Sequence, residues 1–446
     1  MTNTMLVNKN NKMKESYFKR IELTQTKNIF NEEIQIDKNA YQAFLELESK
    51  LGSQKIEVGI IQTYTRLKKQ NLPEMTPDHE TFLSIDLSIK KDGAFLYSTN
   101  EMLNQSQTYQ KIHHYLAECG FILRYPKEKE AITGYSYRPW QIRYVGKFVA
   151  NLIKKENCCL EEYLTNFSKI LVINKQKGVT SFDIVHKLTK LFGIKRIGHT
   201  GTLDPLAEGV LVVTIGKAVK IAELLTAQYK EYEAGVVLGI MTDTLDITGK
   251  ILASAPVPEI KNLEEVLTRF KTTYLQEVPI YSAVKVAGKK LYEYAREQKE
   301  VELPKKEVTI KEITLLSTDK ATFNFKCLVS KGCYIRSLIR DIGYSINNYA
   351  TMTKLVRTKQ GKFDINNAYT LEQIKNNQFK MYNIEDVLDY TKIKLNKEEE
   401  RKVTSGQKLK NKYNIEDKVI FINENNKLLG IYEKEGEFLK TWKNFV

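Results

Sequence analysis

One short segment of the sequence carries residues that could do chemistry. Residues 196–211 read Arg-Ile-Gly-His-Thr-Gly-Thr-Leu-Asp-Pro-Leu-Ala-Glu-Gly-Val-Leu, which puts one carboxylate, that of Asp204, in a glycine-flanked turn. An aspartate is ionised at neutral pH, and it can attack carbon or accept a proton. An Asp-Pro pair alone indicates no more than a turn. Because catalytic residues concentrate on loops held by rigid elements, the longer pattern predicts a catalytic aspartate.

The elements that must hold this loop follow from the spacing of apolar residues. An apolar stripe over 181–192 predicts an amphipathic helix that ends at Gly193, and an apolar strand is predicted directly after the loop, at 210–215. Other strands are predicted at 170–173, 231–238 and 321–329, and other helices at 217–225, 259–274 and 334–346. Strands and helices mix without a regular βαβ order, which predicts an α+β fold.

Length and charge indicate several domains and an anionic partner. A chain of 446 residues is long enough for roughly three domains. We predict a first domain over 1–166, a second over 168–389 and a small, lysine-rich, β-rich domain over 390–446. Lys and Arg number 69 and Asp and Glu number 54, and the net charge of +15 favours nucleic acid first and an anionic membrane surface second.

The sequence also predicts the compartment. The first eleven residues are polar and lack the apolar core of a signal peptide, and no stretch approaches the roughly 20 apolar residues of a membrane-spanning helix. The five cysteines show no C-x-x-C spacing and suggest no disulfide framework. We therefore expect a cytoplasmic protein with reduced thiols.

Five sequence blocks, in order, resemble the TruB-type tRNA pseudouridine synthases. The aspartate segment resembles the catalytic motif of that family, in which the aspartate is the nucleophile. The other blocks are an opening motif at 171–182, a second motif at 230–246, an RNA-gripping insertion at 279–296 and, at 330–336, the block with the family's active-site arginine. Gln176 and Val278 stand where the family has proline, and both lie outside the aspartate motif.

The resemblance implies a fold, a reaction and a partner. The fold would be that of a pseudouridine synthase, with a mixed β-sheet and flanking helices, followed by a PUA-like RNA-binding domain. The reaction breaks the N1–C1′ bond of a uridine, turns the base and rejoins it through C5, and it needs no metal, redox step or cofactor. The substrate would be the T-arm of tRNA, with uridine-55 of the T-loop flipped out of the RNA.

The resemblance also implies roles for individual residues. Asp204 would be the nucleophile, Arg336 would keep it ionised and oriented, and Tyr232 would stack on the base and accept the C5 proton. The implied substrate-binding residues are Tyr334 and Leu355 in the pocket, His199 against the RNA loop, and Lys175 in the opening motif. Ordinary structural roles stay open for four of these residues. Tyr232 could be a packed strand residue and Leu355 a core residue. His199 could be a loop histidine with its hydrogen bonds satisfied, and Arg336 a surface charge.

The first domain resembles a second family, the VanY-type D-alanyl-D-alanine carboxypeptidases, at 120–129, 133–146 and 160–164. That family holds zinc with His, Asp and His and activates water with a glutamate. His79 and Asp86 match the first two ligands, but Gln141 stands at the second histidine, Arg138 at the glutamate and Thr65 at the substrate-binding arginine. A neutral amide is a poor zinc ligand and arginine cannot act as a base. We therefore predict a folded, catalytically inactive domain with a vestigial site and no metal.

Three functions follow as hypotheses. The first, which the five ordered blocks favour, is a tRNA pseudouridine synthase. The second is a zinc carboxypeptidase, and the substitutions at Gln141 and Arg138 count against it. The third is a non-catalytic RNA-binding or tRNA-folding protein, and the joint presence of Asp204, Tyr232 and Arg336 counts against that.

Overall fold

The structure, a computed structural model, describes residues 4–8, 11–12, 21–64, 72–259 and 262–446, so Thr65 lies outside the described residues. The chain forms two compact units. The first unit comprises Met1–Ser168, His186–Ile197 and Phe445–Val446, and the second comprises Lys169–Val185 and Gly198–Asn444. In the part of the chain that is described, no helix is both long enough and apolar enough to cross a membrane.

The first unit packs helices against a small antiparallel sheet. Its strands are β1 (Leu23–Lys27), β2 (Glu33–Asp37), β3 (Val58–Gln62), β4 (Ser84–Lys91), β5 (Ala94–Phe95), β6 (Phe121–Tyr125) and β7 (Arg138–Tyr144). Its helices are α1 (Lys38–Gly52), a 3₁₀ turn (Pro77–Thr81), α2 (Thr99–Leu103), α3 (Ser106–Cys119), α4 (Glu130–Thr133), α5 (Lys147–Lys155) and α6 (Leu160–Asn166). The sheet has the order β3-β4-β7-β6 with β5 beside β4, and β1 pairs with β2. One apolar core includes Leu47, Leu87, Ile112 and Ile142.

The second unit contains a mixed nine-stranded sheet. Its strands are β8 (Ser168–Lys175), β9 (Ile197–His199), β10 (Glu208–Gly216), β11 (Lys230–Leu238), β14 (Thr273–Glu277), β17 (Lys305–Asp319), β18 (Thr322–Val329), β19 (Ala350–Gln360) and β20 (Phe363–Asp364). The order is β14-β17-β18-β11-β19-β10-β8, with β20 beside β19 and β9 beside β10. β10 and β19 run parallel, whereas β11 is antiparallel to both of its neighbours. This mixture confirms the predicted α+β fold.

Short hairpins and helices surround this sheet. The hairpin strands are β12 (Ile240–Thr242), β13 (Ile251–Ser254), β15 (Lys285–Val286) and β16 (Lys289–Lys290). The helices are α7 (Ser181–Phe192), whose residues from His186 onward belong to the first unit, a 3₁₀ turn (Lys217–Ile221), α8 (Ala222–Ala227), α9 (Leu263–Thr268), α10 (Leu291–Arg296), α11 (Ile335–Ser345), a 3₁₀ turn (Ile365–Asn367), α12 (Leu371–Lys375) and α13 (Ile384–Val387). The helix α7 has the predicted bounds, and Gly193 after it adopts a left-handed φ of 66°.

One predicted helix is largely wrong. The segment 259–274 was expected to be helical, but the helix covers only Leu263–Thr268, and residues 260–261 lie outside the described residues. The chain then enters β14, where Thr273 and Tyr274 pair with Thr309 and Val308 of β17. Threonine and tyrosine favour strands, and pairing along a sheet edge outweighs the helical pattern that precedes them.

A separate small sheet closes the second unit. It is formed by β21 (Thr391–Lys394), β22 (Leu409–Lys410), β23 (Lys418–Ile422), β24 (Leu428–Glu435) and β25 (Phe438–Asn444), together with the helix α14 (Lys397–Thr404). The strand order is β21-β23-β24-β25-β22. A core of its own includes Val419, Phe421, Tyr432 and Leu439. The predicted β-rich C-terminal region is thereby confirmed.

Candidate active site

Hydrogen bonds hold the backbone on both sides of Asp204. The loop joins β9 to the buried strand β10. The Ser181 hydroxyl, at the start of α7, accepts a hydrogen bond from the Leu203 amide at 3.0 Å and donates one to the Leu203 carbonyl at 3.3 Å. The Gly178 amide donates to the Pro205 carbonyl at 2.8 Å. The aspartate side chain itself remains 35% exposed, so a substrate can reach a carboxylate whose backbone is fixed.

The carboxylate of Asp204 is paired with a buried arginine. Nε of Arg336 lies 2.9 Å from Oδ2 of Asp204, and the arginine side chain is only 4% exposed. The guanidinium also donates to the carbonyl oxygens of Thr244, at 2.8 Å, and Tyr281, at 3.0 Å. These two bonds fix the plane of the guanidinium. Arg336, at the start of α11, can therefore orient the carboxylate and offset its negative charge.

Both tyrosines singled out by the sequence are largely enclosed and stay protonated at neutral pH. Tyr334 directly precedes α11; burial raises its pKa, and the Asp204 carboxylate adds to that shift. Tyr232 lies on β11 and is 7% exposed. Burial raises the pKa of Tyr232 as well, and the opposing effect of Arg357, whose Nη1 donates to the phenol oxygen at 3.5 Å, is smaller.

The other predicted substrate-binding residues differ in their surroundings. Leu355 is buried on β19, opposite Ala234 of β11. His199 is half-buried at the end of β9, its Nδ1 accepts a hydrogen bond from the Gly201 amide at 3.4 Å, and burial lowers its pKa. His199 is therefore neutral at pH 7.

Lys175 is fully buried at the end of β8. Its ammonium group donates to the backbone carbonyls of Gln176, at 3.1 Å, and Val179, at 2.7 Å. Burial lowers the pKa of Lys175 to about 8, although Asp204 and Glu208 act in the opposite direction. In this structure the lysine closes the turn after β8, and its assignment to substrate binding stays a prediction.

Three polar residues beneath the aspartate loop were missed in the sequence analysis. Arg357, Lys230 and Gln360 are all buried, and they surround Gly201: a Cβ on that glycine would lie 3.3 Å from the Arg357 guanidinium and 3.4 Å from Cε of Lys230. Lys230 donates to the carbonyls of Thr226 and Gln228, and burial lowers its pKa to about 8. Arg357 and Gln360 fall in a strand that also carries Lys354 and Lys359, so its composition gives no sign that the two side chains are buried.

Comparison with known proteins identifies the second unit. A model described as TruB family pseudouridylate synthase (N terminal domain) matches residues 189–335, and a model of the tRNA pseudouridylate synthase B C-terminal domain matches 336–398. The tRNA pseudouridine synthase B of Caldanaerobacter subterraneus subsp. tengcongensis is 41% identical over 282 residues, which cover 62% of this chain and 98% of that protein. The chain belongs to the TruB family. The protein of the same name from Fusobacterium nucleatum subsp. nucleatum is 44% identical over 284 residues, or 62% of this chain and 99% of that protein.

The TruB assignment confirms the family that the five sequence blocks predicted. The matched segments contain every predicted site residue of the second unit except Lys175, which precedes them. The roles of the individual residues remain predictions. In the structure Asp204 and Arg336, which are 132 positions apart in the sequence, form a direct ion pair.

The first unit also has a match. A model of D-alanyl-D-alanine carboxypeptidase (VanY) matches residues 72–147. A solved structure of VanYB in complex with D-alanine-D-alanine is 25% identical, with a TM-score of 0.29, and covers 36% of this chain and 96% of that one. The family-model match confirms the predicted resemblance over residues 72–147.

The residues at the positions that resemble the VanY zinc ligands do not fit a catalytic zinc ion. His79 and Asp86 are fully buried with Nε2 3.3 Å from Oδ1, and Asp86 lies opposite Gln141 across β4 and β7. Within the described residues, Nε2 of His79, Oδ1 of Asp86 and Oε1 of Gln141 lack hydrogen-bond partners. They are the atoms that could face an ion, but the third is a neutral amide oxygen, a poor ligand for zinc. The other Asp86 oxygen accepts a hydrogen bond from Gln62 at 2.6 Å.

The catalytic base position does not fit either. Arg138 donates to the backbone carbonyl of Glu74 and lies over the rings of Tyr125 and Tyr135, with its guanidinium carbon 5.9 and 5.6 Å from the ring centres. A guanidinium stays protonated at neutral pH and cannot take a proton from water. The described residues at these positions therefore do not supply the groups for zinc-dependent hydrolysis.

We expect Gln141→His to create zinc binding in the first unit. The substitution would complete a His, Asp and His set around atoms that already lack hydrogen-bond partners. Loss of a group that only supports a metal ligand costs roughly 10–100-fold in metal affinity, so the gain of a ligand itself should raise zinc affinity by more than that. Calorimetric titration of the metal-stripped full chain with zinc chloride measures this. The double variant Gln141→His/His79→Ala should bind as weakly as the parent. If Gln141→His itself binds no better than the parent, the amide is not what prevents zinc binding.

Proposed function

We propose that the second unit is a tRNA pseudouridine synthase that converts a T-loop uridine, uridine-55, to pseudouridine with Asp204 as its nucleophile. The observation that carries the proposal is the ion pair between Asp204, on a fixed loop, and buried Arg336. An exposed carboxylate held by a buried guanidinium suits attack on a flipped-out nucleoside better than it suits packing.

The overall reaction balances without a cofactor. The N1–C1′ bond breaks and its electron pair leaves with the base, Asp204 holds the sugar or the base while the base turns, and a C5–C1′ bond forms. The proton on C5 is then lost and N1 gains one. The protonated phenols of Tyr232 and Tyr334 and the neutral imidazole of His199 suit stacking and hydrogen bonding to the base and loop.

The charge distribution supports an RNA partner for this unit. Residues 167–446 contain 46 Lys and Arg against 34 Asp and Glu, whereas residues 1–166 contain 23 against 20. In the insertion that resembles the family's RNA-gripping segment, Nζ of Lys290 and the guanidinium of Arg296 both lie 5.3 Å from the Tyr292 ring centre. Cations interleaved with aromatic rings suit the phosphates and bases of an RNA arm.

This function agrees with a division of the chain into three domains, at 1–166, 168–389 and 390–446. It also agrees with a cytoplasmic location of the protein, because tRNA is modified there. The last region, with its own sheet, would be the PUA-like RNA-binding domain. The first would be an inactive peptidase fold.

The test uses a T-arm RNA labelled with tritium at C5 of its uridines. Because the C5 proton is lost on isomerisation, the full-length protein should release tritium in proportion to the pseudouridine found by mass spectrometry. A matched RNA with cytidine at position 55 should release none. Binding of the first RNA with no release and no product would contradict the proposal and favour a non-catalytic RNA-binding protein. Release from the cytidine RNA would contradict the choice of position 55.

A further inference from the structure

Arg357 joins three parts of the active site from below. It lies on β19, is 1% exposed, and faces Tyr232 of β11 directly across the sheet. Its Nε donates to the Val210 carbonyl at 2.6 Å, its Nη2 to the Gly201 carbonyl at 3.0 Å and its Nη1 to the Tyr232 hydroxyl at 3.5 Å. One side chain thus contacts the aspartate loop, the strand that follows it and the predicted stacking ring.

The acceptors of Arg357 are uncharged. Among the described residues, no carboxylate lies within ion-pairing distance of it, which sets it apart from Arg336. A buried charge without a partner is costly, and an apolar side chain would fill the same space more favourably. What the guanidinium provides is three donors in a fixed plane, which set the relative positions of their acceptors.

The backbone of Arg357 is fitted to the same loop. Gly209, at the start of β10, is the parallel partner of Arg357 and has a φ of 99°. A Cβ on Gly209 would lie 2.3 Å from the Arg357 carbonyl oxygen. β19 therefore lies so close to the end of the aspartate loop that a residue with a side chain at position 209 would collide with it.

We propose that Arg357 is a positioning residue of the isomerisation, which fixes the distance between the Asp204 loop and the Tyr232 ring. The inference rests on the proposed function, since these are the two groups that must hold opposite parts of one nucleotide. A displacement of about 1 Å between such groups can cost about 100-fold in rate without weakening binding.

Gln360 offers an internal comparison. It donates to Thr200 Oγ1 at 2.6 Å and to the Leu225 carbonyl at 2.9 Å, so it supports the same loop. Its side chain forms no hydrogen bond with Tyr232 in the described part of the chain. Loss of Gln360 should disturb the loop alone, whereas loss of Arg357 should disturb the loop and the ring together.

The experiment measures single-turnover rate and RNA affinity for full-length Arg357→Met and Arg357→Lys. We expect the single-turnover rate of Arg357→Met to fall about 100-fold, with RNA affinity within about threefold of that of the parent. Arg357→Lys keeps the charge but has a less extended set of donors, so its rate should lie between those of Arg357→Met and the parent. Arg340→Met is the matched control, because Arg340 is a poorly exposed arginine of α11 that pairs with Glu277 and Asp341. Its rate should stay within about threefold.

A double-mutant cycle separates positioning from a purely structural role. In a Tyr232→Phe background the hydroxyl is absent, so Arg357→Met should cost at least about fivefold less than it does in the parent, whereas Gln360→Leu should cost the same in both backgrounds. The proposal is overturned if Arg357→Met keeps its rate within threefold, if its effect is independent of the Tyr232 hydroxyl, or if Arg340→Met loses as much. If Arg357→Met does not fold, the same criteria apply to Arg357→Lys. An active parent with an inactive Asp204→Asn variant leaves the proposed function standing whatever Arg357 does, and an inactive parent overturns both.

Discussion

Asp204→Asn should abolish pseudouridine formation, with a loss of about 10⁴-fold or more in the single-turnover rate, as removal of a nucleophile costs in other enzymes. The amide has nearly the shape of the carboxylate, so the loop bonds made by Ser181, Gly178 and the backbone should persist. What disappears is the charged oxygen that can form a bond to the nucleoside. Mass spectrometry of a T-arm RNA, with affinity measured in parallel, tests this directly.

The expected pattern is loss of rate with binding retained. RNA affinity should stay within about threefold, because contacts of Lys and Arg with phosphates are expected to supply most of that affinity and a carboxylate adds nothing to them. Asp243→Asn serves as a control. Asp243 is an aspartate of the same unit that accepts a hydrogen bond from the Tyr281 hydroxyl at 3.5 Å, and among the described residues the carboxylate paired with Arg336 is that of Asp204. Comparable turnover by Asp204→Asn and the parent would end the claim that Asp204 is the nucleophile.

Arg336→Met should lower the rate by about 10²–10³-fold, the usual cost of removing a fixed electrostatic partner at a reacting group. Methionine fills similar space but cannot pair with Asp204 or donate to the Thr244 and Tyr281 carbonyls. Arg336→Lys keeps the charge, yet a single ammonium cannot satisfy three acceptors in one plane, so it should recover only part of the rate. Single-turnover kinetics at saturating RNA measures both variants.

The interdependence of the two residues gives a second test of the ion pair. If Arg336 acts by holding Asp204, the double variant Asp204→Asn/Arg336→Met should be no slower than Asp204→Asn alone, because groups that act as a unit are not additive. A further large loss in the double variant would show that Arg336 has an independent role. Circular dichroism of each variant distinguishes these outcomes from unfolding.

The parts of the site that the sequence predicted are those encoded locally. The stripe of apolar residues in 181–192, ended by Gly193, gives α7 its bounds. The aspartate motif, its position before a buried strand and the arginine block were likewise visible as contiguous patterns. The ion pair between Asp204 and Arg336 was predicted from the family resemblance, and its geometry required the structure.

The parts that escaped prediction depend on how distant strands come together. Arg357 and Gln360 lie in a strand that also carries Lys354 and Lys359, a composition typical of an exposed edge. The sheet order places that strand between β11 and β10, and the two polar side chains become buried under the loop. The prediction of a helix over 259–274 was wrong for a related reason, because the pairing of β14 with β17 decides where that helix ends.

The buried charges of the first unit have a consequence for its behaviour in acid. Asp78 lies inside the unit with Nη1 of Arg143 at 2.6 Å and Nε of Arg124 at 3.1 Å from its Oδ1. Burial alone would raise the pKa of Asp78, but the two arginines outweigh it and bring the pKa to about 2. The stabilisation is therefore complete above the ordinary carboxyl pKa and is lost only as the pH falls towards 2. The way in which the interior charges of the first unit are compensated thus keeps this contribution to its stability at every pH above the ordinary carboxyl range.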